Sequence, residues 1–265
     1  MKNVKKIVQD YYSQRFREYD KQKIRTWMSE RGFDAEIING VIDALSGLEN
    51  KLVLEVGVGS GRIGIPLQEE IKLWFVGLDL SCEMLKLAKA KMSSYRQNFD
   101  LVLGDADHLP FVNSVFDAVV CISTMHYFPD YDRSLNDFSR VLKEKGIFVY
   151  GDVAVHEMDN QYFLDALEKT LSKAHSRYYK PSEMKSLLES HGFCMSKARV
   201  ISYRKSYPAL MDDKGKYFGV KPEIFEKSIQ AATASERDLY SMDSNELTLF
   251  YALIVALKKN PFSNG

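Results

Sequence analysis

Between residues 55 and 61 the chain reads Glu-Val-Gly-Val-Gly-Ser-Gly, a carboxylate followed by three glycines at alternate positions. Glycine allows left-handed backbone and lets a ligand lie directly against main-chain N–H groups, which the start of the next helix leaves free. The loop is therefore a cradle for a nucleotide-like ligand. Gly59-Ser-Gly61-Arg62-Ile-Gly64 also satisfies the dinucleotide fingerprint G-x-G-x-x-G in a shifted register, so the loop alone does not choose between cofactors. Asp79 closes the next apolar run and fits a ribose-diol acceptor in either case.

Charge separates the two readings. A pyrophosphate wants helix N–H groups with no anion close by, and Glu55 stands beside that place. A ligand bearing an ammonium and a positive sulfur prefers such a carboxylate, so S-adenosylmethionine fits better, and Gly104-Asp105-Ala106 supplies an acceptor for an adenine amine. Methyl transfer from a sulfonium needs mainly proximity and a nucleophilic or deprotonated acceptor, so no universal catalytic residue exists to search for. His126 follows one apolar run in Ser123-Thr-Met-His-Tyr, while Asp152 and His156 leave the next. These three are the candidate proton acceptors, and the catalytic group stays open. Histidines and cysteines lack ligand spacing, and no metal is expected.

The elements that must position these groups alternate. Residues 4–45 have helical spacing; Leu52–Val56, Trp74–Asp79, Leu101–Leu103, Phe116–Ile122 and Ile147–Val155 read as strands, with helices between them. Ser81 caps one helix, another starts near Tyr131 with Gly146 as its C-terminal stop, and Pro181 opens a third that ends near Gly192. Strands over 198–207 and 247–257 enclose a segment, 208–246, too long for a hairpin turn, with a helix from Glu223 to about Ala234. The expected fold is α/β: a doubly wound, seven-stranded, mostly parallel sheet with N-terminal helices over 1–48, a main domain over 49–265 and 208–246 as an inserted lid. Tyr11, Tyr12, Phe16 and Tyr19 form an aromatic stripe expected to be core.

The 265 residues hold 36 Lys plus Arg against 36 Asp plus Glu, so nothing in the net charge calls for nucleic acid or an anionic membrane as partner. No apolar run approaches the ~20 residues of a bilayer span. The first thirty residues lack the apolar core of a signal peptide, and a cytoplasmic protein is expected.

The loop 55–61, Asp79, Gly104-Asp-Ala-x-x-Leu-Pro-Phe111, Phe116-Asp117-x-Val-Val and Arg140-Val-Leu-Lys-Glu-Lys-Gly146 together resemble the class I S-adenosylmethionine-dependent methyltransferases, and within them the UbiE/COQ5-like group, methyltransferase type 11. The resemblance spans roughly residues 50–155; Lys145 stands where that family commonly has glycine. It implies a Rossmann-like enzyme converting S-adenosylmethionine to S-adenosylhomocysteine with a small-molecule acceptor. The glycine loop (Gly57, Val58, Gly59, Gly61) would hold the methionine part, Asp79 the ribose, Asp105 the adenine, and backbone near Ser123 would complete the methionine site. Arg62, Leu80 and Met84 would line the cofactor. The rivals are a dinucleotide-dependent oxidoreductase on the same core and an RNA-modifying methyltransferase; the oligomeric state stays open.

Overall fold

The computed structural model describes residues 2–29, 31–93 and 98–259. Two helices, α1 (Lys2–Ser29) and α2 (Arg31–Leu45), precede β1 (Leu52–Val56), α3 (Gly64–Glu70), β2 (Trp74–Asp79), α4 (Cys82–Met92), β3 (Phe99–Leu103), β4 (Phe116–Ile122), α5 (Tyr131–Val141) and β5 (Leu142–Ala154). There follow α6 (Phe163–Leu171), α7 (Pro181–Ser190), β6 (Phe193–Ser206), α8 (Tyr207–Leu210), α9 (Pro222–Gln230), α10 (Ala234–Leu239) and β7 (Glu246–Lys258). The seven strands lie in the order β3-β2-β1-β4-β5-β7-β6, with β1 to β5 paired in parallel and β7 antiparallel to both neighbours. This is the doubly wound sheet expected from the alternation.

Burial on both faces explains the unbroken apolar runs. Leu54, Val119, Cys121 and Phe148 face the layer that holds α5 and α7, whereas Val53, Ala118, Val120 and Val149 face α2 and α3. Ser81 caps α4 by accepting from Met84 N at 3.3 Å, and Asp130 caps α5 by accepting from Arg133 N at 3.0 Å. Asp117 accepts from Leu52 N at 3.0 Å and pairs with Lys143 at 2.9 Å, tying β4 to β1.

Two expectations need correction, and one helix was not expected. Gly146 does not stop α5: the helix ends at Val141, and β5 starts at Leu142 with a register shift against β4. Gly146 is needed because a Cβ would lie 2.8 Å from Lys143 O; the left-handed backbone falls instead on Lys145, φ 59°, which a glycine would adopt without strain. The helix read from Glu223 to Ala234 ends already at Gln230, and a separate helix, α10, follows with its own capping box from Thr233 and Glu236. Helix α6 was not anticipated: its Phe163, Leu164, Leu167 and Leu171 are buried, but the run is short and starts from Tyr162 in left-handed conformation.

Segment 208–246 is a packed unit. Leu210, Phe225, Ile229 and Tyr240 share a buried cluster with α6 and with Leu247 and Leu249 of β7. Helix α1 lies over the carboxyl edge of the sheet, where Gln9 donates to Leu80 O and Tyr11 stacks on Phe218 at 5.5 Å. The aromatic stripe is therefore not plain core: Tyr12 meets Tyr127, their hydroxyls 3.0 Å apart, while Tyr19 has its side chain outside the described residues.

Candidate functional site

The sheet order reverses between β1 and β4, and ligands of open α/β sheets collect in the crevice outside the strand ends at such a point. A cavity of about 350 Å³ opens there. Its wall contains every residue picked out for the cofactor: Glu55, Gly57, Val58, Gly59, Gly61, Arg62, Asp79, Leu80, Met84, Gly104, Asp105, Ala106 and Ser123. Gly57 and Gly59 have φ of 77° and 53°, and a Cβ on Gly57 would lie 2.3 Å from Thr124, so the loop runs close against the start of the β4–α5 connection. Asp79 organises the edge by accepting from Gly59 N and from Ser81 N, each at 2.8 Å.

Glu55 is 3% exposed, and its Oε2 has no hydrogen-bond partner. Burial pushes its carboxyl up to about 8, Arg62 opposing and Asp79 reinforcing the rise. Burial likewise raises Asp79 to about 6 against the N–H groups of Ser81 and Gly59. Burial thus favours the neutral, protonated form of the carboxyl beside the glycines. Arg62 faces Asp34 of α2 at 3.2 Å and donates to Ser123 Oγ at 3.0 Å, which ties the loop to α2 and to the end of β4. Ser123 takes φ 52°, a strained left-handed value for a serine, and shares a hydrogen bond with Tyr251 Oη at 2.9 Å.

Asp105 meets a group that sequence reasoning missed. Lys5 Nζ, from α1, lies 2.8 and 2.7 Å from its two oxygens and also pairs with Asp107. Only tertiary packing brings these positions together, and nothing local signals it.

A second cavity of about 130 Å³ adjoins the first, with Tyr12, Arg62, Ser123 and Tyr127 in both walls. His126 and Asp152 line it and are paired: His126 Nδ1 lies 2.8 and 3.0 Å from the carboxylate oxygens, which also accept from the backbone N–H of His126 at 3.1 Å and of Val153 at 2.9 Å. Burial holds the imidazole below its ordinary value despite Asp152. His156 lines neither cavity; its Nδ1 accepts from Met158 N and its ring packs on Phe250. Lys214 follows α8 and pairs with Glu168 of α6 inside the same cavity. Burial works against the Lys214 charge, but Glu168, Tyr127 and Tyr178 hold the ammonium well above its ordinary value, and Lys214 in turn helps hold Glu168 down to about 2.

The family description "Methyltransferase domain" matches residues 53–146, the stretch that carries the glycine loop, Asp79, Asp105 and Ser123. That match, to a methyltransferase domain, covers less than half of the chain. Among its relatives, the fatty-acid O-methyltransferase of Mycolicibacterium smegmatis is 34% identical over 41% of this chain and 39% of its own length. The malonyl-[acyl-carrier protein] O-methyltransferase of Geobacter sulfurreducens is 27% identical over 56% of this chain and 57% of its own. The chain thus spans about half the length of the curated relatives it matches. The crystal structure of YcgJ from Bacillus subtilis shares the fold with TM-score 0.75 at 20% identity, covering 85% of this chain and 99% of that chain. No helix among the described residues of the chain is long and apolar enough to cross a membrane.

Proposed function

We propose that the chain transfers the methyl group of S-adenosylmethionine to a small-molecule acceptor, with the cofactor in the larger cavity and the acceptor in the smaller. The observation that carries this is the buried Glu55 carboxyl, with one oxygen lacking a partner, in the wall of the glycine-loop cavity at the sheet's switch point. A ligand's ammonium would supply the hydrogen-bond donor that this oxygen lacks. When bound, the cofactor supplies an activated methyl carbon. Glu55 would neutralise its positive end, Gly57 to Gly61 would present backbone to the amino-acid part, Asp79 would take the ribose hydroxyls, and Asp105, exchanging its Lys5 contact, the adenine amine. Helix α1 and segment 208–246 would close the acceptor side, since α1 brings Tyr12 and the segment brings Leu210 and Lys214 into the second cavity. The domain division into a helical cap over 1–48, a methyltransferase domain over 49–265 and a lid over 208–246 belongs to the same proposal. Incubating the protein with methyl-labelled S-adenosylmethionine and a metabolite extract of the host tests it: label should enter a small molecule, and label found only in RNA would contradict it.

The Glu55 environment makes a signed prediction. A cationic ligand binds the ionised carboxylate, so binding must expel the proton that Glu55 holds below about pH 8. Affinity for S-adenosylhomocysteine, which keeps the ammonium, should be highest above pH 8 and weaken as pH falls, by up to about tenfold per unit. The fall should steepen below about 6, where Asp79 also takes a proton. Calorimetry in buffers of different ionisation heat should register about one proton released near pH 7. Affinity independent of pH from 6 to 8 would remove Glu55 from the binding site.

A further inference from the structure

We propose that the acceptor is an aromatic hydroxyl compound whose O–H donates to His126 Nε2 in the second cavity, with His126 as its base and Asp152 as the residue that positions His126. The proposal rests on the reading of the larger cavity as the cofactor site.

Because Nδ1 sits between both oxygens of Asp152, it carries the ring proton, and Nε2 presents a lone pair. That nitrogen is buried without a partner, in a residue 6% exposed. An unmet buried acceptor is costly and calls for a donor. Three acceptor classes can be compared. An ammonium would need a carboxylate, yet each one in this wall already faces another group: Asp152 faces His126, Glu168 faces Lys214, and Asp34 faces Arg62. A carboxylate acceptor has no proton to give and leaves Nε2 unmet. A neutral hydroxyl satisfies it directly. The wall is also rich in flat rings, Tyr12, Tyr127, Tyr178 and Phe33 among them, which suit an aromatic ring.

The groups facing His126 are Asp152 on β5, Glu168 on α6, His175 and Tyr178 between α6 and α7, Lys214 after α8, and the adjacent Tyr127. Burial, Lys214 and His175 keep the imidazole neutral, and the fixed Lys214 charge favours a hydroxyl that gives up its proton. In the step, an oxygen lone pair forms the O–CH₃ bond while the O–H proton passes to Nε2. The carbon–sulfur bond breaks with its electron pair kept by sulfur, leaving the neutral thioether, and His126 later returns its proton to water.

The test uses the full chain, S-adenosylmethionine carrying a ¹³C methyl, and a host metabolite extract. The labelled methyl should appear as an aryl methyl ether. His126→Gln should lower kcat roughly 10²- to 10⁴-fold with S-adenosylhomocysteine affinity unchanged, and should abolish the rise of kcat with pH on the acid side. Asp152→Asn should lower kcat and displace that rise, which a merely structural role would not do. Label on nitrogen, sulfur, carbon or a carboxyl ester would overturn the assignment, as would a His126→Gln enzyme with an unchanged pH profile. If S-adenosylhomocysteine binds but no product forms, the hydroxyl proposal alone falls. If it does not bind, the cofactor reading falls first.

Discussion

Gly59→Val is expected to weaken S-adenosylhomocysteine binding roughly 100-fold or more while leaving the fold intact. At φ 53° a β-branched residue pays about 1–2 kcal/mol for left-handed backbone, and its methyl groups enter the space the ligand needs. The protein itself leaves room, since the nearest atom to an added Cβ is Met84 Cε at 3.4 Å. Gly57 would be a poorer probe, because its Cβ would strike Thr124 and disturb the loop with or without ligand. Calorimetry on a variant with unchanged thermal unfolding checks the prediction; normal affinity would place the ligand elsewhere.

The second large effect concerns stability. Lys214→Met should leave the Glu168 carboxylate buried with no cation, a loss of about 3 kcal/mol and about 6–12 °C in Tm. The pair joins the segment after α8 to α6, so the damage should begin in that cluster. The double variant Lys214→Met with Glu168→Met should recover most of the loss, because an apolar pair leaves no charge stranded. Equal stability of the single and double variants would mean that the ion pair contributes no such coupling.

What could be read from the sequence is local. The glycine loop, Asp79 and the Gly104-Asp105-Ala106 turn announce themselves by residue type and by their place at strand ends, and the cavity gathers all of them. The strand pattern was equally plain, since β1, β2 and β4 are buried on both faces and read as continuous apolar runs. His126 and Asp152 were visible singly but not as a pair, because parallel pairing of β4 with β5 is what brings their strand ends together. Lys5 with Asp105 and Glu168 with Lys214 lie 100 and 46 residues apart, and no periodicity encodes such contacts. Helix α6 was hidden by its shortness, although the spacing of Leu164, Leu167 and Leu171 carried the signal. The stop assigned to Gly146 failed because the glycine answers to close packing under Lys143 rather than to helix termination.

The proposed ligand of the glycine-loop cavity is a cationic adenosyl compound and not a dinucleotide. Titrating the same protein, at pH 8, with S-adenosylhomocysteine and with NADH tests it most directly. Saturable one-to-one binding of S-adenosylhomocysteine, lost in Gly59→Val, and no measurable binding of NADH are expected. Saturable NADH binding with no response to S-adenosylhomocysteine would contradict it.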